Sequence, residues 1–184
     1  MGSTGLAVVM VMMVMVAVAQ ADVKPQKDFN LQRFAGRWYR VGLAYDSPGF
    51  VPFRSLVTAS MGMVVPLPNG NVNLTMWDQT PYGCVAKAYH YEATSVPGQF
   101  TYHSARHSTV KDITVVDTNY TEYAIVLKYK VFNREYTQVA LYARSLKVKN
   151  EVYQKYKAFA LSRHLPRDSI LTPPPAENCP ATAN

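Results

Sequence analysis

Short β-rich runs recur about every ten residues along most of the chain, and this spacing constrains the fold more than any other feature. Turn signals such as Pro68-Asn69-Gly70-Asn71 separate the runs and are typical of tight hairpins. Eight runs cover approximately residues 37–45, 55–66, 71–78, 84–93, 99–105, 109–117, 122–131 and 135–145. We therefore expect an all-β fold, either a sandwich or an up-and-down barrel.

The hydrophobic period changes after the eighth run. Between residues 150 and 163, apolar side chains recur at the spacing that one face of an α-helix requires. This stripe consists of Val152, Tyr153, Tyr156, Phe159 and Ala160. The pattern predicts one amphipathic helix that packs against the outside of the sheet.

The first 21 residues contain no charged side chain and end in the small-residue site Ala19-Gln20-Ala21. Their apolar stretch is shorter than the roughly 20 residues that a bilayer span needs, so it is typical of a secretory signal peptide. We predict a signal peptide at 1–21, a single folded domain at 22–184, and secretion to the extracellular space without a membrane anchor.

The charge balance of the chain is basic, with 19 Lys and Arg against 12 Asp and Glu and a formal net charge of +7. Such a balance suits nucleic acid, acidic surfaces or anionic small molecules. The basic residues are spread over all the strands in no recognised nucleic-acid module, so we expect no nucleic-acid partner. Familiar catalytic motifs are missing, and His103 and His107 lie where strand and turn are predicted, so we expect no cofactor and no metal.

Cysteine and asparagine positions fit an extracellular protein. Cys84 and Cys179 are the only two cysteines, and in an oxidising compartment we expect one disulfide between them. Two free buried thiols are the alternative. Asn73 and Asn119 each begin an Asn-x-Thr sequon, and we predict glycosylation at both.

Three motifs, taken together and in order, resemble the lipocalin family. Gly36 and Trp38 match the Gly-x-Trp motif of the first strand, Thr118 and Tyr120 match a Thr-Asp-Tyr motif with Asn at its centre, and Arg144 matches the arginine of the last strand. The resemblance implies an eight-stranded antiparallel up-and-down barrel with one C-terminal α-helix packed outside. In such a barrel Trp38 plugs the closed end, and Arg144 lies against its indole.

Within that family, the chain resembles the lipocalin-type prostaglandin D synthase group. Enzymes of that group carry a cysteine nucleophile after a Ser-Met pair on the second strand, whereas here Ser60-Met61 is followed by Gly62. That isomerisation needs a thiolate in the cavity, so we expect no synthase activity. Two alternatives stay open: synthase activity that uses another residue, and a secreted protein that interacts with partners through its loops.

Strand alternation gives a provisional cavity lining, to which we add the mouth loop 46–53 with its aromatic side chains. The predicted ligand-binding residues are Arg40, Phe50, Met61, Leu74, Met76, Tyr102, Lys111, Ile113, Val115, Val126, Lys128 and Tyr142. The three cations would meet the carboxylate of a ligand, unless a register slip places Lys111 and Lys128 outside.

The predicted function is the transport of a small hydrophobic ligand, anionic in character: a fatty acid, a retinoid or a related lipid acid. An eight-stranded barrel holds one such ligand when its interior is not filled by side chains. We expect a monomer, and a cell-surface receptor is a further candidate partner.

Overall fold

The structure is a computed structural model that describes residues 23–104, 109–132, 134–176 and 179–180. The predicted signal peptide and His107 lie outside the described residues. Within these ranges, none of the helices has the length and apolar character needed to cross a membrane.

Eight long strands and a short ninth strand make up most of the described chain. The strands are β1 (Gly36–Tyr45), β2 (Ser60–Pro66), β3 (Val72–Thr80), β4 (Gly83–Ala93), β5 (Gln99–Ser104), β6 (Thr109–Thr118), β7 (Tyr123–Phe132), β8 (Arg134–Ala143) and β9 (Ile170–Leu171). The helices are α1 (Leu31–Phe34), α2 (Asn150–Ser162) and two 3-10 helices, Pro48–Leu56 and Arg167–Ser169.

The sheet is closed, because β1 pairs with both β2 and β8. Successive strands are antiparallel neighbours from β2 to β8, and β1 completes the ring through the pairs Trp38↔Gly62 and Arg40↔Tyr142. The barrel is therefore confirmed over the sandwich, and the predicted C-terminal helix is present. One strand boundary was wrong: β2 begins at Ser60 rather than near residue 55, because Pro48–Leu56 forms a 3-10 helix.

Two hydrophobic cores lie on the two faces of the sheet. The inner core fills the lower part of the barrel around Trp38, and the outer core lies between the sheet and α2. A bulge at Val41 turns both Val41 and Gly42 outward, since the β1–β8 register shifts between Arg40 and Gly42. A Cβ at Gly42 would lie 3.0 Å from the ring of Tyr156, so only glycine lets α2 pack this closely.

Trp38 and Arg144 close the lower end of the barrel. The Trp38 indole donates a hydrogen bond to the carbonyl of Phe34 at 2.8 Å, and the Arg144 guanidinium lies 3.7 Å from the centre of the Trp38 ring. Arg144 also donates to the carbonyls of Arg33, Arg37 and Tyr120. One side chain thus links α1, β1 and the turn before β7, with cation–π and charge-assisted contacts.

The turn between β6 and β7 is held by its own side chains. The Thr118 hydroxyl donates to the Tyr123 carbonyl at 2.6 Å and accepts from the amide of Tyr120 at 2.9 Å. The Asn119 side-chain oxygen accepts from the amides of Glu122 and Tyr123, which is the acceptor role that an aspartate plays equally well. Asn73 in β3 is exposed, and glycosylation stays a prediction at both asparagines.

The predicted disulfide is confirmed. Cys84, at the start of β4, is bonded to Cys179 in the C-terminal tail, across a sequence separation of 95 residues. The tail is also held by a hydrogen bond of 2.7 Å from the amide of Ala59 to the carbonyl of Pro174. A disulfide of this kind is typical of extracellular proteins.

We predict that replacing both Cys84 and Cys179 by serine lowers the free energy of unfolding by about 2–4 kcal/mol, because the bond restricts a long loop in the unfolded chain. Urea denaturation of the oxidised wild type and of the double variant measures the difference. Wild type treated with a reductant should match the variant. Equal stability of the two proteins would show that the disulfide contributes nothing to stability.

Candidate functional site

The interior of the barrel contains two chambers of different character. The lower chamber, above Trp38, is apolar except for Lys128 and the tyrosine hydroxyls. It is lined by Leu31, Phe34, Trp38, Gly62, Val64, Val72, Leu74, Tyr91, Phe100, Ile113, Val115, Val126, Lys128 and Tyr142. It retains about 60 Å³ of free space, which corresponds to a few water molecules.

The mouth chamber lies at the open end and is wider and more polar. It is lined by Tyr45, Lys87, Ala88, Tyr89, Tyr102, Ser104, Thr109, Lys111, Lys130 and Tyr136, and its volume is about 650 Å³. Tyr89 and Tyr102 in this chamber contact Tyr91 of the lower chamber, with ring centres 5.7–6.0 Å apart, and contact each other at 5.6 Å. A tyrosine cluster therefore stands where the two chambers adjoin.

Lys111 points into the mouth chamber between two aromatic rings. Its ammonium lies 4.7 Å from the ring centres of both Tyr89 and Tyr102, which is cation–π geometry. Burial lowers the pKa of Lys111 to about 8, and the positive charges of Lys128 and Lys87 add to this effect. Lys111 therefore carries its charge at neutral pH and loses it about two pH units earlier than an ordinary lysine.

Lys128 and Lys130 follow one another on the inner face of β7. Lys128 donates a hydrogen bond to the Tyr142 hydroxyl at 3.1 Å. Burial acts to lower the pKa of Lys128. The electrostatic effects of Tyr142 and Tyr91, together with this hydrogen bond, outweigh burial and raise that pKa overall. Lys130 lies 3.4 Å from the Tyr45 hydroxyl, and burial, together with the neighbouring cations, lowers the pKa of Lys130 to about 6. At neutral pH the charge therefore sits on Lys128 and mainly not on Lys130.

Arg40 lies on the inner wall but is already paired. Its guanidinium donates to Asp78 at 3.0 Å and to the Ser60 hydroxyl at 2.7 Å, and the hydroxyl of Ser60 also contacts the Asp78 carboxylate. Lys87 approaches the same carboxylate at 3.9 Å. Arg40 is thus a weaker anion-binding candidate than its charge suggests, because Asp78 already neutralises it.

Three other inward lysines have no such partner in the part of the chain that the structure describes. Among the residues that the structure describes, no carboxylate forms an ion pair with Lys111, Lys128 or Lys130. They instead face tyrosine rings and hydroxyl groups. Unpaired cations in a half-buried cavity are unfavourable, and a bound anion would relieve that cost.

Most of the residues predicted to bind ligand lie on the inner wall. The lower chamber contains Leu74, Ile113, Val115, Val126, Lys128 and Tyr142, and the mouth chamber contains Tyr102 and Lys111. Met76 also points inward and packs beside Gly62, where its sulfur would lie 2.7 Å from an added Cβ. The two lysines therefore lie inside, and the register slip that would have placed them outside does not occur.

Two predicted positions need correction. Met61 lies on the outer face, because it pairs with Tyr39 and the inward residues of β2 are Ser60, Gly62 and Val64. The mouth segment predicted as a loop is a 3-10 helix, in which Phe50 packs against Tyr45 with ring centres 5.4 Å apart. Phe50 thus contacts Tyr45, which is one of the residues that line the mouth chamber.

The sequence reasoning missed several inward side chains of this site, and five of them supply its charges and its tyrosine cluster. They are Asp78, Lys87, Tyr89, Tyr91 and Lys130. Alternation alone would have found Asp78, two residues after Met76, and Lys130, two residues after Lys128. The inner face of β4 carried no clear signal, because its tyrosines and lysine alternate with residues that are not consistently polar.

The closed barrel with an internal ligand chamber defines a class of small-molecule carrier proteins. Residues 35–177 match a family model described as "Lipocalin / cytosolic fatty-acid binding protein family". The chain belongs to this family, whose members bind small hydrophobic ligands inside the barrel.

Comparisons with individual proteins agree. The chain is 29% identical to the prostaglandin-H2 D-isomerase of Canis lupus familiaris and 30% identical to that of Felis catus, in both cases over 95% of this chain and 93% of the relative. Among solved structures, it resembles that of the siderocalin Ex-FABP, with a TM-score of 0.72 and 24% identity over 80% of this chain and 97% of that one. This last likeness shows the fold alone.

The Arg40–Asp78 pair yields a stability prediction. Replacing Asp78 by Asn leaves two cations on the inner wall without a counter-charge, so we expect the free energy of unfolding to fall by about 1–3 kcal/mol. Urea denaturation measures the change. Glu122→Gln, which breaks the exposed pair with Lys149, is the matched control and should leave stability unchanged within error. Equal effects of the two substitutions would contradict an interior role for Asp78.

Proposed function

We propose that the chain is a secreted carrier of a lipid acid, whose alkyl tail occupies the lower chamber and whose anionic head group lies among the lysines of the mouth chamber. The observation that carries this proposal is the inward cluster of Lys111, Lys128 and Lys130, which has no carboxylate partner among the described residues. Apolar walls below and cations above match the two ends of such a molecule.

The free volumes of the two chambers refine the ligand class. The lower chamber has about 60 Å³ of free space and walls of branched aliphatic and aromatic side chains. A slim alkyl chain enters it with less displacement of these side chains than a cyclic retinoid end group requires. A fatty acid therefore fits this interior better than a retinoid does.

We do not extend the isomerase activity of the relatives to this chain. Gly62 lies on the inner wall, where the resemblance to the synthase group places a nucleophilic cysteine, and glycine has no group that can ionise. Both cysteines of the chain are joined in the disulfide. Secretion and glycosylation belong to the same proposal, and the disulfide supports them.

The test compares an acid with its matching alcohol. We expect Lys111→Met to weaken dodecanoate binding about tenfold and to leave dodecanol binding within about twofold, because only the acid makes a charge-assisted contact. Titration calorimetry or displacement of a fluorescent fatty acid measures both affinities.

Two further variants make this comparison specific. Lys147→Met removes an exposed lysine outside the barrel and should change neither affinity. Arg40→Met should affect the acid less than Lys111→Met does, because Asp78 already pairs with Arg40. If Lys111→Met weakened the binding of dodecanoate and of dodecanol equally, Lys111 would contribute to the shape of the cavity and not to recognition of the carboxylate charge.

A further inference from the structure

Lys130 differs from the other amines of the barrel because it is mainly neutral at pH 7. It lies in the mouth chamber beside the hydroxyl of Tyr45, and its ammonium is 5.0 Å from the centre of that ring. Lys128 stands two residues away on the same face of β7, and Lys111 lines the same chamber. Lys130 and Lys111 thus share the mouth chamber, and Lys128 lines the lower chamber that adjoins it. The described residues give none of the three amines a carboxylate partner.

Such crowding favours the neutral form of one amine. A lysine that is desolvated or next to another cation becomes a nucleophile at neutral pH. The pKa of Lys130 falls to about 6, first because of burial and then because of Lys128, Lys111, Arg40 and Lys87. At pH 7 it holds about a thousand times more neutral amine than an ordinary lysine does.

We propose that Lys130 captures hydrophobic aldehydes covalently, as an imine, in the mouth chamber. The chamber has room for the reacting group, with a volume of about 650 Å³, and the apolar chamber beneath can hold the tail. This reaction goes beyond reversible carriage of an acid. It requires only the shared apolar tail site, and not the contact between a carboxylate and Lys111.

The chemistry is balanced without a co-reactant. The lone pair of the Lys130 Nζ attacks the aldehyde carbon, a C–N bond forms, and the carbonyl π electrons move onto oxygen. Proton transfer from nitrogen to oxygen gives a carbinolamine, which loses water as the C=N bond forms. Tyr45 is placed to donate the proton that the departing hydroxyl needs and to recover one from nitrogen. Burial raises the pKa of Tyr45, with Tyr136 and Asp46 adding to the effect, so its hydroxyl keeps its proton.

The experiment uses the whole secreted chain, decanal as the aldehyde and cyanoborohydride to fix the imine, with peptide mass spectrometry to locate the product. At pH 7 we expect Lys130 to be labelled about 100-fold faster than the exposed Lys147. Lys130→Arg replaces the amine by a guanidinium, which forms no imine under these conditions, and should remove this fast labelling. Lys111→Arg should leave the rate at Lys130 within about twofold. Tyr45→Phe should slow the labelling several-fold.

The pH profile gives a readout that a merely accessible lysine would not produce. The rate at Lys130 should rise between pH 5 and 7 and then level off, whereas labelling of exposed lysines keeps rising above pH 9. Labelling of Lys130 no faster than that of Lys147, or a rate at Lys130 that rises steadily to pH 10, would overturn the proposal. Dodecanoate binding is measured in parallel, so failure of acid carriage and failure of aldehyde capture are seen separately. A cooperative urea unfolding transition, measured for Lys130→Arg and for the wild type, shows that the variant is folded.

Discussion

Ring closure of the sheet through β1 is the constraint on which the rest of the structure depends. Because β1 bonds to both β2 and β8, every second residue of eight strands points into one enclosed space. Trp38 and Arg144 then close one end of that space, so a ligand can enter only from the other end. The polarity of the site, apolar below and cationic above, follows from which residues the strands place at each end.

The charged side chains are distributed unequally around the barrel interior. Asp78 neutralises Arg40 and lies near Lys87, while the lysines of β6 and β7 face tyrosine rings instead. Tyrosine faces and hydroxyl groups stabilise a cation less than a carboxylate does, so the β6–β7 side keeps a positive potential. An anion that enters the mouth should therefore settle on that side rather than beside Arg40.

The sequence predicted the strands and the helix because each depends on local and periodic signals, and the resemblance to the family then implied a barrel rather than a sandwich. Hairpin turns and strand alternation recur throughout the chain, and two cysteines allow only one pairing. The errors arose where the period was interrupted. The 3-10 helix delays the start of β2 to Ser60. Met61 was predicted as a flexible apolar side chain of the cavity wall, but it lies on the outer face, next to the inward Gly62.

Contacts between side chains of strands that are far apart in the sequence were the other feature that could not be predicted. Arg40 and Asp78 are 38 residues apart, and no pattern in either strand shows that they meet. The lowered pKa of Lys130 likewise depends first on burial inside the closed barrel, and then on cations from β1, β4 and β6 that only the closed ring brings together. Alternation shows which face a side chain takes, but not which side chain of another strand lies opposite.

Proton uptake on anion binding tests the central claim most directly: that unpaired lysines in the mouth receive the head group. Decanesulfonate is the appropriate ligand, since its head group cannot take up a proton itself. Calorimetry at pH 7 in buffers of different ionisation enthalpy should show a net uptake of protons, because the bound anion raises the pKa of Lys130 from about 6. An observed binding enthalpy independent of the buffer would contradict the claim and place the head group elsewhere.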